Sequence, residues 1–150
     1  MIRDIKKNEM SKLLKLYTHL HLKDAPLPEK SKLESIWKEI TTNPLLHYFV
    51  VDHNNEIVSS CTLSVIPNLT RGGRPYGLIE NVVTHADYRR RGFGTSILQY
   101  ALEFAWENNC YKVMLLTSSR DPAIHQFYES VGFKKGIKTG FVANSLDFYD

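Results

Sequence analysis

The stretch Ile79–Thr95, IENVVTHADYRRRGFGT, decides how the rest of this 150-residue chain is read. It begins as a β-branched apolar strand, passes through a basic turn carrying two glycines, and opens into a helix. Beyond the turn, Gly94, Ile97, Leu98, Ala101, Leu102 and Ala105 recur at helical spacing, with Gln99, Glu103 and Glu107 on the opposite face. That pattern predicts an amphipathic helix over Gly92–Asn108. A turn that opens a helix leaves backbone N–H groups unpaired, and the helix dipole adds partial positive charge there. Gly92 and Gly94 remove Cβ atoms, so phosphate oxygens can approach the main chain. Arg89, Arg90 and Arg91 add full charges. The combination predicts a site for a diphosphate. A Walker loop is excluded, because no GxxxxGK[ST] run occurs, and so is the dinucleotide fingerprint, whose third glycine would stand at Ile97.

Working outward, Tyr76–Thr84 reads as the strand that feeds the turn. His47–Asp52 and Ile57–Ile66 read as a hairpin about His53–Glu56, and Thr70–Pro75 as a turn. Upstream, Met10, Leu13, Leu14 and Tyr17 predict a helix from about Asn8, its N-cap, to Leu22. Pro26 and Pro28 interrupt the chain. Leu33, Ile36, Trp37 and Ile40 mark a second helix that Asn43-Pro44 ends. Downstream, Tyr111–Thr117 predicts a buried strand. A short helix follows, with Asp121 at its N-cap, Pro122 at N1 and Gly132 just past its end. Weak strands are expected at Phe133–Ile137 and Thr139–Ala143, with a third near the end. The order β-α-α-β-β-β-α-β-α-β-β implies an α+β (mixed α/β) domain over residues 1–150. Its central sheet is mixed, mostly antiparallel, with helices on both faces.

Composition narrows the function. There are 19 basic and 16 acidic side chains, a net +3, and removing the three consecutive arginines leaves 16 against 16. The surplus is one local run, which suits a discrete anionic ligand better than a nucleic-acid backbone needing a broad basic stripe. No apolar run exceeds four residues, so no membrane span is expected. The start, Met-Ile-Arg-Asp-Ile-Lys-Lys, lacks a signal peptide's apolar stretch. Cys61 and Cys110 form no CxxC motif, no HxxxH pair occurs, and neither a disulfide framework nor a metal site is expected. Cytoplasm is the default compartment.

RRRGFG after a strand matches the Q/R-x-x-G-x-G/A signature of the GNAT superfamily of acyl-CoA-dependent N-acetyltransferases. AIHQFYESVGF resembles the later FYExxGF motif of the same superfamily. The two lie in the expected order, separated by a helix and a strand, and the resemblance covers nearly the whole chain. It implies the GNAT fold, acetyl-CoA as co-substrate, a small-molecule amine as acceptor and, by family habit, a homodimer. It also implies that main-chain groups of Val82, Val83 and Thr84 hold the acetyl and pantetheine part by sheet-like pairing. Backbone amides of Arg89, Arg90, Arg91, Gly92, Phe93, Gly94 and Thr95 would hold the pyrophosphate. Asp121 stands where many members carry a pantetheine-contacting asparagine. Tyr128 matches a tyrosine that in several members lies beside the cofactor sulfur. The segment Ile79-Glu80-Asn81 is also similar to the IED strand segment of glucosamine-6-phosphate N-acetyltransferases, with asparagine in place of aspartate.

The chemistry has its own requirements. An alkylammonium, with a pKa near ~10, must lose a proton before it attacks a thioester. The departing thiolate benefits from an acid, and the developing oxyanion from a backbone N–H. Direct transfer in a ternary complex needs no acyl-enzyme, and the cysteines read as packed strand residues. Glu80 is the base candidate, since its apolar flanks, Leu78-Ile79 and Val82-Val83, predict a burial that would raise a carboxylate's pKa. Tyr128 is the acid candidate. Two alternatives remain: acetylation of a protein N-terminus or lysine, and a non-catalytic acyl-CoA-binding module. An acidic acceptor could use Arg71 and Arg74, whereas a polyamine would prefer Asp24, Glu29 or Glu34, and neither set dominates.

Overall fold

A computed structural model describes residues 1–148. Its contacts gather in two compact units, Met1–Leu115 and the chain from Leu116 onward. In the first, β1 (Ile2–Asp4), β2 (Leu46–His53), β3 (Glu56–Ile66), β4 (Tyr76–Thr84) and β5 (Val113–Met114) lie side by side in that order. The first four are antiparallel, while β5 joins β4 in parallel. Three helices accompany them: α1 (Met10–Tyr17), α2 (Lys30–Thr42) and α3 (Phe93–Glu107). The second unit is built around α4 (Pro122–Val131).

Two consecutive residues of β2 show where the core sits. Side chains alternate across a strand. Phe49, fully buried, packs edge-on against Tyr100 and Phe104 of α3, with ring centroids 5.0 and 5.2 Å away. Val50 turns the other way, into a cluster with Leu16 of α1, Ile57 and Val83. Helices α1 and α3 therefore cover opposite faces of the sheet. The inward stripe of α3 is Ile97, Leu98, Ala101 and Ala105, the spacing read from the sequence.

The first strand is pinned by charge. Arg3 donates through Nη1 and Nη2 to both carboxylate oxygens of Glu9, at 2.9 and 2.8 Å, and through Nη2 to Asp52 at 2.8 Å. Glu9 is buried and also accepts the Lys6 N–H at 2.8 Å.

Several boundaries differ from those expected. Asn8 is not an N-cap; it lies inside a 3-10 turn, Lys7–Glu9, that precedes α1. Helix α1 stops at Tyr17, five residues short of the expected end. The N–H groups of Thr18, His19 and Leu20 bond three residues back, and the Thr18 hydroxyl takes the Lys15 carbonyl, so the last turn tightens. Thr70–Gly73 is a turn in which Arg71, Gly72 and Gly73 all have positive φ. The strand expected at 111–117 shrinks to Val113–Met114, paired only with Gly77 and Leu78. No strand forms at 133–137 or 139–143. Phe141 and Val142 have the propensity but stay exposed, and left-handed Gly136 breaks the run. Strand propensity is realised only where a ladder and a face to bury are available. The third strand expected near the end falls partly on residues 149 and 150, outside the described residues, and 144–148 contain none.

Candidate active site

The diphosphate turn is built as a scaffold with an open mouth. The first bond back into α3 runs from Ser96 N–H to Gly92 C=O, 3.0 Å, so the N–H groups of Phe93, Gly94 and Thr95 precede it. No side chain caps this end. Gly92 takes φ +83°, a left-handed conformation, and a Cβ built there would meet nothing within 4 Å. Arg90 is also left-handed, at φ 60°. Backbone curled in this way presents successive N–H groups to an anion. The free helix end, the open space at Gly92 and the basic side chains fit the pyrophosphate of acetyl-CoA.

The three arginines do different work. Arg89 donates through Nε to the Thr84 carbonyl at 3.2 Å and through Nη2 to the His19 carbonyl at 3.3 Å. It ties the turn to β4 and to the segment after α1. Arg91 lies over the rings of Tyr88 and Phe93, 5.1 and 5.6 Å from their centroids. Arg90 is exposed. Behind the turn, His53 meets both Tyr88 and Phe93, and the Tyr88 hydroxyl donates to Glu56 at 3.1 Å. His19 and His85 pack with centroids 4.0 Å apart. Each Nδ1 accepts a backbone N–H, from Ala86 and Asp87 respectively, and burial followed by His85 holds the His19 imidazole below its ordinary pKa. The sequence pointed to the arginines but not to this histidine strut, because His19 and His85 are 66 positions apart in the chain.

The strand leading into the turn is irregular where the chemistry was expected. Thr62 pairs with Glu80 and Ser60 with Val83, so Asn81 and Val82 together oppose the single residue Cys61. This is a β-bulge in β4, with Asn81 left-handed at φ 53°. Thr84 pairs with Ser59, and its hydroxyl lies 2.9 Å from that of Ser59. On the other side β5 ends its pairing at Leu78, so Ile79–Thr84 presents an edge that β5 does not cover. Val82, Val83 and Thr84 lie along that edge.

Glu80 is exposed, a correction to the burial expected from its neighbours. Its flanks alternate: Ile79 is buried, while Glu80 lies in a cross-strand row with Tyr48 and Thr62 on the α1 face. That row ends at Glu80, on the edge β5 leaves open. The thiols are excluded from a nucleophilic role by burial, which pushes Cys61 up to about 12 and raises Cys110 as well. Arg74 is not free for an acidic acceptor, since it donates to the carbonyls of Asn109 and Cys110. An open depression of about 420 Å³ near Leu45, Val65, Leu69 and Pro75 has no titratable lining residue. Among the described residues no group of three His, Cys, Asp or Glu could hold a metal ion, and no helix is long and apolar enough to cross a membrane.

In the second unit Asp121 is the N-cap of α4, accepting the Ala123 N–H at 2.9 Å. His125 Nε2–H donates to the Ser119 carbonyl, and Nδ1 accepts from Lys135. Tyr128 is half-buried, with rings of Phe127 and Phe133 beside it at 5.0 and 6.2 Å.

Known proteins resemble this chain in fold and sequence. An inferred acetyltransferase from Agrobacterium tumefaciens str. C58 superposes with a TM-score of 0.90 at 41% identity, over 97% of this chain and 99% of that one. A Trypanosoma brucei acetyltransferase gives a TM-score of 0.80 at 29% identity, over 96% and 99%. Glucosamine 6-phosphate N-acetyltransferase of Trypanosoma brucei brucei is 40% identical over 78 residues, 52% of this chain and 51% of that protein. A rice relative described as a glucosamine 6-phosphate N-acetyltransferase is 34% identical over 85 residues, 56% of this chain and 49% of its own length. The chain thus spans about half the length of the curated relatives it matches. The profile of the acetyltransferase (GNAT) family matches residues 10–133, most of the chain and both motif regions. The chain belongs to the GNAT family of acetyltransferases.

Proposed function

We propose that this protein moves an acetyl group from acetyl-CoA directly to a primary amine of a small molecule. The observation that carries the reading is the uncapped start of α3, beside an edge of β4 that its neighbour leaves unpaired. Amides of Phe93, Gly94 and Thr95 would hold the pyrophosphate, helped by the charge of Arg90 and Arg91. Main-chain groups of Val82, Val83 and Thr84 would align the pantetheine arm as an added strand does. Acetyl-CoA supplies an acetyl group already activated as a thioester.

The residues of the chain then have three tasks. Glu80 takes the ammonium proton, and its position at the open edge leaves it reachable by an acceptor. A backbone N–H of the bulged segment stabilises the charge that develops on the carbonyl oxygen. Tyr128 gives its proton to the departing sulfur, and the second proton lost by the acylated nitrogen restores the phenol. The relatives named for glucosamine 6-phosphate make amino sugars the first acceptors to try.

The test is thiol release from acetyl-CoA over amino sugars, aminoglycosides, polyamines, aminophosphonates, amino acids and peptides. With a productive acceptor, Glu80→Gln should lower turnover by about 10²–10⁴-fold with acetyl-CoA affinity unchanged. The variant should regain activity as pH rises toward the amine's own pKa near ~10. Acetyl-CoA binding without turnover of any amine would sink the enzymatic reading and favour an acyl-CoA-binding module.

A further inference from the structure

Arg89 and Arg91 belong to one basic run, yet the fold holds them in opposite ways. Arg89 spends its donors on two carbonyls. Arg91 is exposed, and among the described residues its guanidinium has neither a hydrogen bond nor an ion pair. It is nevertheless placed. Its Cζ lies 5.1 Å from the ring centroid of Tyr88 and 5.6 Å from that of Phe93. A guanidinium over a ring is attracted by the π face, so none of its five N–H donors is consumed. An arginine free in solvent loses rotamer entropy when it meets an anion, and one already stacked loses less.

The two rings are themselves fixed. The Tyr88 hydroxyl donates to Glu56 at 3.1 Å, and the ring meets His53 and His85 edge-on, with centroids 5.6 and 5.3 Å away. The Phe93 ring lies 5.3 Å from His53 and 6.3 Å from Tyr88. His53 ends β2 and Glu56 begins β3, so the hairpin between them backs the platform. Phe93 is also the first residue of α3, whose opening amides no side chain caps. The rings therefore place a free guanidinium fork beside the helix start.

We propose that Tyr88 and Phe93 are positioning residues that hold Arg91 ready for a phosphate group of acetyl-CoA. The planar fork can give two parallel N–H bonds to one phosphate, which a freely rotating cation does not pre-arrange. The pyrophosphate and the 3′-phosphate of the cofactor share this chemistry. The inference deepens the acetyl-CoA reading and rests on it.

The experiment measures calorimetric Kd for acetyl-CoA and for its dephospho form, which lacks the 3′-phosphate. Arg91→Ala should weaken acetyl-CoA by about 10-fold or more, the scale of hydrogen bonds to a charged group. That loss should shrink at high salt. Tyr88→Leu should weaken it by about 2–5-fold, the scale of an exposed cation–π contact. Tyr88→Phe keeps the ring and its two histidine neighbours, and should stay within about 2-fold of the parent. In the Arg91→Ala background Tyr88→Leu should cost nothing more, because its effect passes through Arg91. A loss in Arg91→Ala seen with acetyl-CoA alone assigns the 3′-phosphate to Arg91, and an equal loss with both cofactors assigns the pyrophosphate. Parental affinity of Arg91→Ala for both cofactors overturns the proposal. So does a Tyr88→Leu loss that persists undiminished in the Arg91→Ala background. Should Tyr88→Leu fail to fold, Phe93→Leu removes the other ring, keeps the α3 amide and supplies the same comparison. A parent that binds neither cofactor is a different result: it removes the acetyl-CoA reading itself, and this inference with it.

Discussion

Tyr128 shows how much one atom can be asked to do. Its ring, on a ten-residue helix, packs with Phe127 and with Phe133 just past the helix end, so the side chain has a packing task besides any chemical one. Tyr128→Phe keeps the ring, and stability should change by about 1 kcal/mol or less. As the proposed acid it should lose at least ~10-fold in turnover. A donor thioester with a more acidic leaving thiol separates the two tasks. The variant should recover most of its loss with that donor, whose thiolate departs without a proton. An equal defect with both donors would assign Tyr128 to packing or placement. The cysteines need no such test, because burial keeps the Cys61 thiol protonated across the working range.

Helix α3 carries the binding prediction at the scale of an element. Its first turn offers amides ahead of the Ser96 bond, and no side chain competes for them. Gly94→Val places a branched side chain at this mouth and should abolish the rise in melting temperature that acetyl-CoA gives the parent. NAD and ATP should give the parent a much smaller rise. Retention of the acetyl-CoA shift in Gly94→Val would move the diphosphate site elsewhere. Gly92→Val is the poorer probe, because φ +83° strains a β-branched residue before any ligand arrives.

At the scale of the molecule, the Arg3–Glu9–Asp52 clamp joins β1 and the first turn to the C-terminal end of β2. The Arg3 guanidinium holds the Glu9 carboxyl down to about 2, against the opposing effect of burial, and lowers Asp52 as well. A carboxyl depressed in the folded state binds its proton more readily when unfolded. Its contribution is therefore complete above the unfolded value near 4.5 and is lost as pH falls toward about 2. Thermal or urea unfolding of the parent and Glu9→Gln should differ by about 1–3 kcal/mol at neutral pH, the range for hydrogen bonds to charged groups. That difference should shrink between pH 4.5 and 2. A gap that stays constant through this window would show that the carboxylate's charge is not what holds β1.

The glycine-bearing turn, the stripe of α3, the β2–β3 hairpin and the Asp121-Pro122 helix start were all legible in the chain. Each is set by neighbours within about four positions: a period of 3.6 or 2, a cap, or a missing Cβ. The FYESVGF run and the RRRGFG turn carried the family resemblance for the same local reason. What the linear order could not convey was decided by partners distant in sequence. Glu80 looks buried among Ile79, Val82 and Val83, yet it stands exposed, because a bulge against Cys61 and the early end of β5 leave its edge of the sheet uncovered. Phe141 and Val142 look like a strand but lack a ladder to join. Arg89 looks like a ligand for phosphate but spends its guanidinium on two carbonyls, one of them 70 positions upstream. Tyr17 reads as one more apolar position of a helix, yet its phenol reaches the side chain of Thr62 on the third strand. Local steric and periodic rules act within a few residues, and so they survive in the sequence. Burial, strand pairing and hydrogen-bond satisfaction depend on which distant segments meet, and only the folded chain determines that.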